Sequence, residues 1–219
     1  MPSLVVHYAF VGLLAATVLG AAFDKRSLAL SLVVTVPDID AFIGLVSSVG
    51  HRAATTNLVI PALAGALIAV DLHAREESAI RRRWGAYGVR VAWFCVVVYA
   101  VGHVFMDMIT GGANLFWPLH DQFYQVSGRL ELSSQRGIVQ TFLDLDGSGP
   151  TFDAMGDTSE VQMSTGVDPN PGGDGTSDQP VDRVFPIVRS GWQLFLLVFG
   201  TLGTATRFVI GYDLSDESR

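Results

Sequence analysis

Three histidines and three aspartates lie at the ends of apolar stretches that are far apart in the chain: His7, Asp38, Asp40, His51, His103 and Asp107. Imidazole nitrogen beside carboxylate oxygen is a donor set for zinc, manganese or iron. A cation of that kind lowers the pKa of a bound water and polarises a phosphoryl oxygen. His103 and Asp107 are i and i+4, which on a helix puts an imidazole and a carboxylate on one face. Asp38 and Asp40 follow Pro37, which ends regular helix and lets both carboxylates converge from irregular backbone. Arg52, next to His51, carries a planar fork suited to phosphate and to the charge that develops in its transfer. Either Asp40 or Asp107 can serve as general base instead of ligand. The metal ligands expected are therefore His7, Asp38, Asp40, His51, His103 and Asp107, with Asp40, Arg52 and Asp107 as catalytic groups. Plainer readings exist for each: a hydrogen-bonded His103–Asp107 pair, a solvated helix end at Asp38 and Asp40, a snorkelling Arg52, an interfacial His7. His120 is a candidate accessory ligand or proton carrier. Thr55, Thr56 and Asn57 are candidates for hydrogen bonds to the ligands.

The elements that must position these groups are apolar. Mean hydropathy is +0.39 and 49% of the residues are hydrophobic. Leu4–Phe23, Ser27–Val36, Ala53–Leu72, Ala86–Ile109 and Gly191–Tyr212 read as membrane spans, several of them reaching the roughly 20 residues a crossing needs. The second spans only by continuing through Ala41–Val49. The expected fold is an all-α polytopic bundle of about five transmembrane segments. It divides into a four-span domain (1–118), an acidic extramembrane segment (119–185) and a fifth span with an acidic tail (186–219). Lys25 and Arg26 after the first span, and Arg75, Arg81, Arg82, Arg83 and Arg90 around the third and fourth, mark the cytoplasmic side. The histidine–aspartate groups then face outside the cytoplasmic membrane, and His73, on the other side, is left out of the site. The first apolar stretch has its basic residues after it, the reverse of a secretory signal, and reads as a retained span.

Composition narrows the partners. A net charge of −7 disfavours nucleic acid, and a lone Cys95 allows no intrachain disulfide or cysteine-rich metal site. Lys25 is the only lysine, and an acidic, lysine-poor chain suggests a salt-rich setting. Leu119–Phe185 holds eleven acids against Arg129, Arg136 and Arg183. Within it, Asp168–Asp182 reads as a disordered linker. Gln122–Val126 and Arg129–Ser133 alternate as a short hairpin would, with Ser127-Gly128 as its turn, and Ile138–Leu145 can add a strand.

The ordered set His7, Pro37-Asp38-Ile39-Asp40, Gly50-His51-Arg52, Gly102-His103 with Asp107, and Trp117-Pro118 resembles the membrane-bound, metal-dependent hydrolases described as LexA-binding and inner-membrane-associated. The continuation Met108–Gly112 also fits, and the resemblance runs from about Met1 to Leu119. It implies distant kinship with zinc-dependent phospholipase C, and hence a helical phosphoesterase site that holds divalent metal, most simply zinc. Two positions depart from the pattern. Ala41 stands where the family usually has histidine after Pro-Asp-Ile-Asp, and Thr55-Thr56-Asn57 replaces Thr-His-Ser. Such a site holds fewer metals, recruits His120, or keeps only a structural ion.

Three functions follow from these residues. The first is a membrane hydrolase acting on a phosphoester, with membrane lipid as the natural source of substrate. The second is a non-catalytic scaffold whose metal pins the spans, with the acidic segment as a dock for a protein partner. The third, an ion or proton translocator, needs polar residues through the membrane depth, and the cytoplasmic halves of these segments offer few.

Overall fold

The computed structural model describes residues 3–35, 39–45, 51–142, 152–171 and 182–216. In chain order the elements are α1 (Leu4–Val18), α2 (Lys25–Val34), α3 (Ile39–Gly44), α4 (Val59–His73), α5 (Ala79–Val98), a π-helical stretch (Tyr99–Phe105) and α6 (Met106–Gly111). There follow β1 (Ala113–Phe116), β2 (His120–Gln125), β3 (Leu130–Ser133), β4 (Gly137–Gln140), β5 (Asp153–Gly156) and α7 (Gly191–Asp216). The chain forms two compact units. A helical unit takes residues 2–37, 58–103 and 185–219; a mixed unit takes 38–57 and 104–184.

In the helical unit the core is Val11, Ala15, Leu19 and Ala22 against Val91, Phe94 and Val98. Gly88, Val91, Phe94 and Val98 recur every three to four residues, so one stripe of α5 faces inward. Asp24 opens α2 in a reciprocal capping box with Ser27. At the far end of α1, the carbonyls of Leu19 and Gly20 accept from Arg90 (3.3 Å) and Arg207 (3.0 Å). Two cations thus meet the negative end of that helix.

Helices α1 and α7 approach closely because small residues line the crossing. A Cβ at Gly12 would lie 2.6 Å from the Thr204 hydroxyl oxygen, and one at Gly200 would collide with the Ala9 carbonyl. Backbone cannot yield as a flexible side chain can. Gly200→Leu is therefore expected to cost roughly 1–3 kcal/mol in overpacking, read as a lower melting midpoint in detergent. Gly191→Ala, in open space, should leave that midpoint near the wild-type value.

Helices α4 and α5 are joined by one carboxylate. Asp71 accepts from the Ser78 hydroxyl (2.6 Å), the Ala79 and Ile80 amides (2.9 and 3.1 Å) and Arg75 (3.1 Å). The Ser78 hydroxyl bond, then the two amides at the start of α5, hold this carboxyl well below the usual range. A depressed folded pKa contributes stability above the unfolded value of about 3.9, and loses it as pH falls further toward the folded value. Asp71→Asn should lower the melting midpoint by a few degrees at neutral pH, and the gap to wild type should shrink progressively below about pH 4. A gap independent of pH would remove the carboxylate from this account.

The five-span, all-α bundle is overturned. Among the described residues, Ala79–Gly111 and Gly191–Gly211 are the helices long and apolar enough to cross a membrane. Helices α1 and α4 have 15 residues each, about 22 Å, short of a hydrocarbon core of about 30 Å. The apolar runs overstate the helices for local reasons. Gly20, at φ +56, ends α1 before Phe23, and 51–58 are turn and bend, not the start of a span. Helix α3 is six residues long and cannot extend α2 across a bilayer. By contrast, α7 exposes Trp192, Phe195, Phe199, Leu202 and Val209, the apolar exterior that lipid tolerates and water does not.

The mixed unit holds strands the all-α reading lacks. Strands β1, β2 and β5 form an antiparallel sheet in the order β1-β2-β5, and β3 pairs with β4. Phe123, fully buried, lies on β2. The hairpin expected from Gln122–Val126 and Arg129–Ser133 pairs differently. Strand β2 is taken by β1 and β5, while β3 turns at Ser134–Arg136 onto β4, with Leu132 opposite Ile138. The Ser133 hydroxyl accepts from the amides of Gln135 and Arg136, and Gly137 adopts φ +68, so the reversal is built there and not at Ser127-Gly128. The middle of the expected linker, 172–181, and residues 143–145 of the expected strand lie outside the described residues.

Candidate metal centre

Residues of the mixed unit build a buried polar cluster around Asp40 and Arg52. Asp40 sits in the first turn of α3 and is fully buried. Its carboxylate accepts from His51 Nδ1 (2.8 Å), the Arg52 amide (2.9 Å) and the Thr56 hydroxyl (3.0 Å). A carboxylate at Nδ1 keeps the proton on that nitrogen and leaves Nε2 with the lone pair, the arrangement that raises the basicity of a ligating histidine. Arg52 adopts φ +70, unusual for a side-chain-bearing residue. That conformation puts its amide on Asp40 and its side chain in the interior. Arg52 Nη2 donates to Asp107 Oδ1 (2.6 Å) and more distantly to Thr110 Oγ1 (3.4 Å). Nη1 donates to the carbonyls of Asp107 (3.1 Å) and Gly112 (3.0 Å). Gly112, at φ +93, turns the chain so that its carbonyl meets the guanidinium. The ion pair is almost wholly buried on both sides.

In the helical unit, His7 and His103 face each other. Their ring centroids are 5.8 Å apart and edge-to-face. His7 Nδ1 lies 3.1 Å from the Ser3 carbonyl. A carbonyl only accepts, so Nδ1 carries a proton and Nε2 is the ring nitrogen that could ligate a metal. His103 falls in the π-helical stretch, with Tyr99 edge-on at 5.5 Å. Wide turns of this kind recur where a helix must present a side chain off its regular stripe.

Asp107 lies one turn beyond His103 on the continuous helical run Ala79–Gly111. His7 and His103 are buried in the helical unit, and Asp107, at i+4 from His103, is buried in the mixed unit. Two imidazoles and one carboxylate suit zinc, manganese or iron, and three protein ligands leave a position open. The Arg52 bond to Oδ1 orients the Asp107 carboxylate from outside, as partners of ligating carboxylates do.

Of the residues singled out from sequence, His7 and His103 come together in the helical unit, and Asp40, His51, Arg52 and Asp107 form the polar cluster of the mixed unit. Asp38 lies outside the described residues. Thr56 bonds Asp40, and the Asn57 amide donates to the Ala53 and Ala54 carbonyls, bracing its own turn. His120 is exposed and bonds Tyr124 (3.1 Å). Ser3, Tyr99, Thr110 and Gly112 were not anticipated. Ser3 and Tyr99 each stand four residues before a candidate histidine, a spacing that marks them as neighbours on a helix.

The chain combines buried imidazole and carboxylate groups with two helices long and apolar enough to cross a membrane. The chain belongs to a known family: residues 4–145 match the YdjM inner membrane protein family. It is a protein of the inner membrane. No curated protein and no solved structure matches it.

Proposed function

We propose that this protein is a metal-dependent hydrolase of the inner membrane, acting on a phosphoester at the outer surface of the bilayer. The observation that carries the reading is the buried His7–His103 pair, with ring centroids 5.8 Å apart, and Asp107 one turn further along the same continuous helical run as His103. A divalent cation held there supplies a water of lowered pKa and polarises the phosphoryl oxygen. Zinc fits the donors, and manganese or iron is compatible.

The chain's own residues do the rest. Arg52 fixes Asp107, so the carboxylate keeps one orientation when substrate enters. Asp40 holds His51 in the tautomer that can accept a proton at Nε2 and stabilises the imidazolium that results. Asp38, two residues before Asp40, is the further oxygen donor that the Pro-Asp-Ile-Asp element provides. Opening of the site toward the headgroups would make phospholipid the natural source of substrate.

The test is elemental analysis of detergent-purified protein together with hydrolysis of phosphodiester and phospholipid substrates in added Zn²⁺ or Mn²⁺. Turnover that depends on metal and on His103 supports the reading. Equal rates for wild type and His103→Ala reject it. A second reading, a structural ion in a non-catalytic scaffold, is favoured by Ala41 and Thr56, which stand where the resemblance described above would place histidines. Thr56 spends its hydroxyl on Asp40 instead. That reading expects chelation to lower the melting midpoint with no turnover under any condition.

A further inference from the structure

The β3–β4 hairpin exposes more apolar surface than a water-facing strand pair should. Leu130, Leu132 and Ile138 are 69%, 85% and 76% exposed. The register puts all three on one face, since Leu132 is opposite Ile138 and side chains alternate along each strand. The other face carries Glu131, Ser133 and Val139, all half-buried. Glu131 is held there between Arg129 (3.3 Å) and Arg136 (3.4 Å). An isolated two-stranded hairpin is marginal in water, so this one gains from a surface that covers its Leu/Ile face.

Charge and size select that surface. Leu119–Phe185 is strongly acidic, yet two of its three arginines, Arg129 and Arg136, fall on this hairpin. They adjoin the first residues of β3 and β4. Two arginines against one glutamate leave the hairpin net positive, and both arginine side chains stay more than half exposed while they bracket Glu131; apolar side chains bordered by such cations match a bilayer whose acyl region lies beneath anionic headgroups. Each strand has four residues, so the face is about 14 Å long and about 10 Å wide. That is of the order of 140 Å², against the roughly 800 Å² per partner of a stable protein interface. A patch so small binds weakly by itself, but the chain is already held at the membrane by its long apolar helices. Tethering turns a weak contact into a local equilibrium at high effective concentration.

We propose that the β3–β4 hairpin seats Leu130, Leu132 and Ile138 in the lipid surface of the membrane, with Arg129 and Arg136 at anionic headgroups. The proposal does not depend on the metal centre. It is tested on the full chain, with Cys95→Ser and Leu132→Cys, labelled with an environment-sensitive fluorophore and reconstituted one copy per nanodisc. The discs are zwitterionic alone or contain about 30% anionic phospholipid. The expected result is quenching by nitroxide-bearing lipids and protection from aqueous iodide in the anionic discs. Arg129→Gln or Arg136→Gln should each lower the inserted fraction relative to the free fraction by about fivefold. Ile138→Cys gives the same readout should Leu132→Cys fold poorly. Iodide quenching in anionic discs as strong as in detergent, without nitroxide quenching, overturns the proposal. Protection that appears only with two copies per disc also overturns it, because a second chain then covers the face.

Discussion

Exchanging Arg52 for methionine will cost about 3–5 kcal/mol of stability, the range for removing one partner of a buried ion pair. Arg52 and Asp107 are both buried, 2.6 Å apart. Two further bonds, to the Asp107 and Gly112 carbonyls, disappear with the guanidinium. Methionine fills much of the same volume, so the loss reports the uncompensated carboxylate more than a cavity. Pairing Arg52→Met with Asp107→Asn should recover part of the loss, because the charge left behind is then neutral. Urea melts of detergent-purified protein followed by tryptophan fluorescence give the comparison. A single-mutant cost below about 1 kcal/mol would mean the pair behaves like a surface contact, and the positioning role assigned to Arg52 would be withdrawn. Metal affinity offers an independent check. Releasing Asp107 from its outer partner should weaken binding by about 10–100-fold.

His103→Ala is expected to abolish metal binding at the proposed site. Outer partners of a metal site are worth about 10–100-fold in affinity, and a ligating imidazole more, so metal content after purification should fall from near one ion per chain to background. Phosphoester hydrolysis should fall with it. His120→Ala serves as the control, since His120 is exposed and bonds Tyr124. Full metal content in His103→Ala would break the assignment of the triad. Lost metal with unchanged turnover would retain the ion and discard its catalytic use.

The site was more legible in the sequence than the architecture. His7, His103 and Asp107 stood out because a charged or imidazole group inside an apolar run needs a reason, and the i, i+4 spacing already paired the last two. Asp40 and His51 were visible for the same reason, but not that they bond to each other, because that contact closes across a stretch with no periodicity. The partners of Arg52 were hidden. Two of the four guanidinium bonds go to backbone carbonyls, set by the positive φ of Arg52 and of Gly112, and no pattern of side chains announces a carbonyl. The span count failed for a related reason. Hydropathy marks apolar stretches but not where the backbone leaves the helix, and both Gly20 and the turn at 51–58 cut apolar stretches short. The hairpin was misregistered because alternation identifies strands without naming their neighbours. The turn chemistry at Ser133–Gly137 decided the pairing.

The π-helical stretch has a consequence for how this chain can change. An α-helix advances about 100° per residue, and a π turn absorbs an added residue without breaking the helix. Deleting Val101 would restore regular winding and turn His103 about the axis relative to the helix before it, off the direction in which it meets His7. A length change of one residue there would abolish the pairing of the two imidazoles while leaving every donor in the sequence.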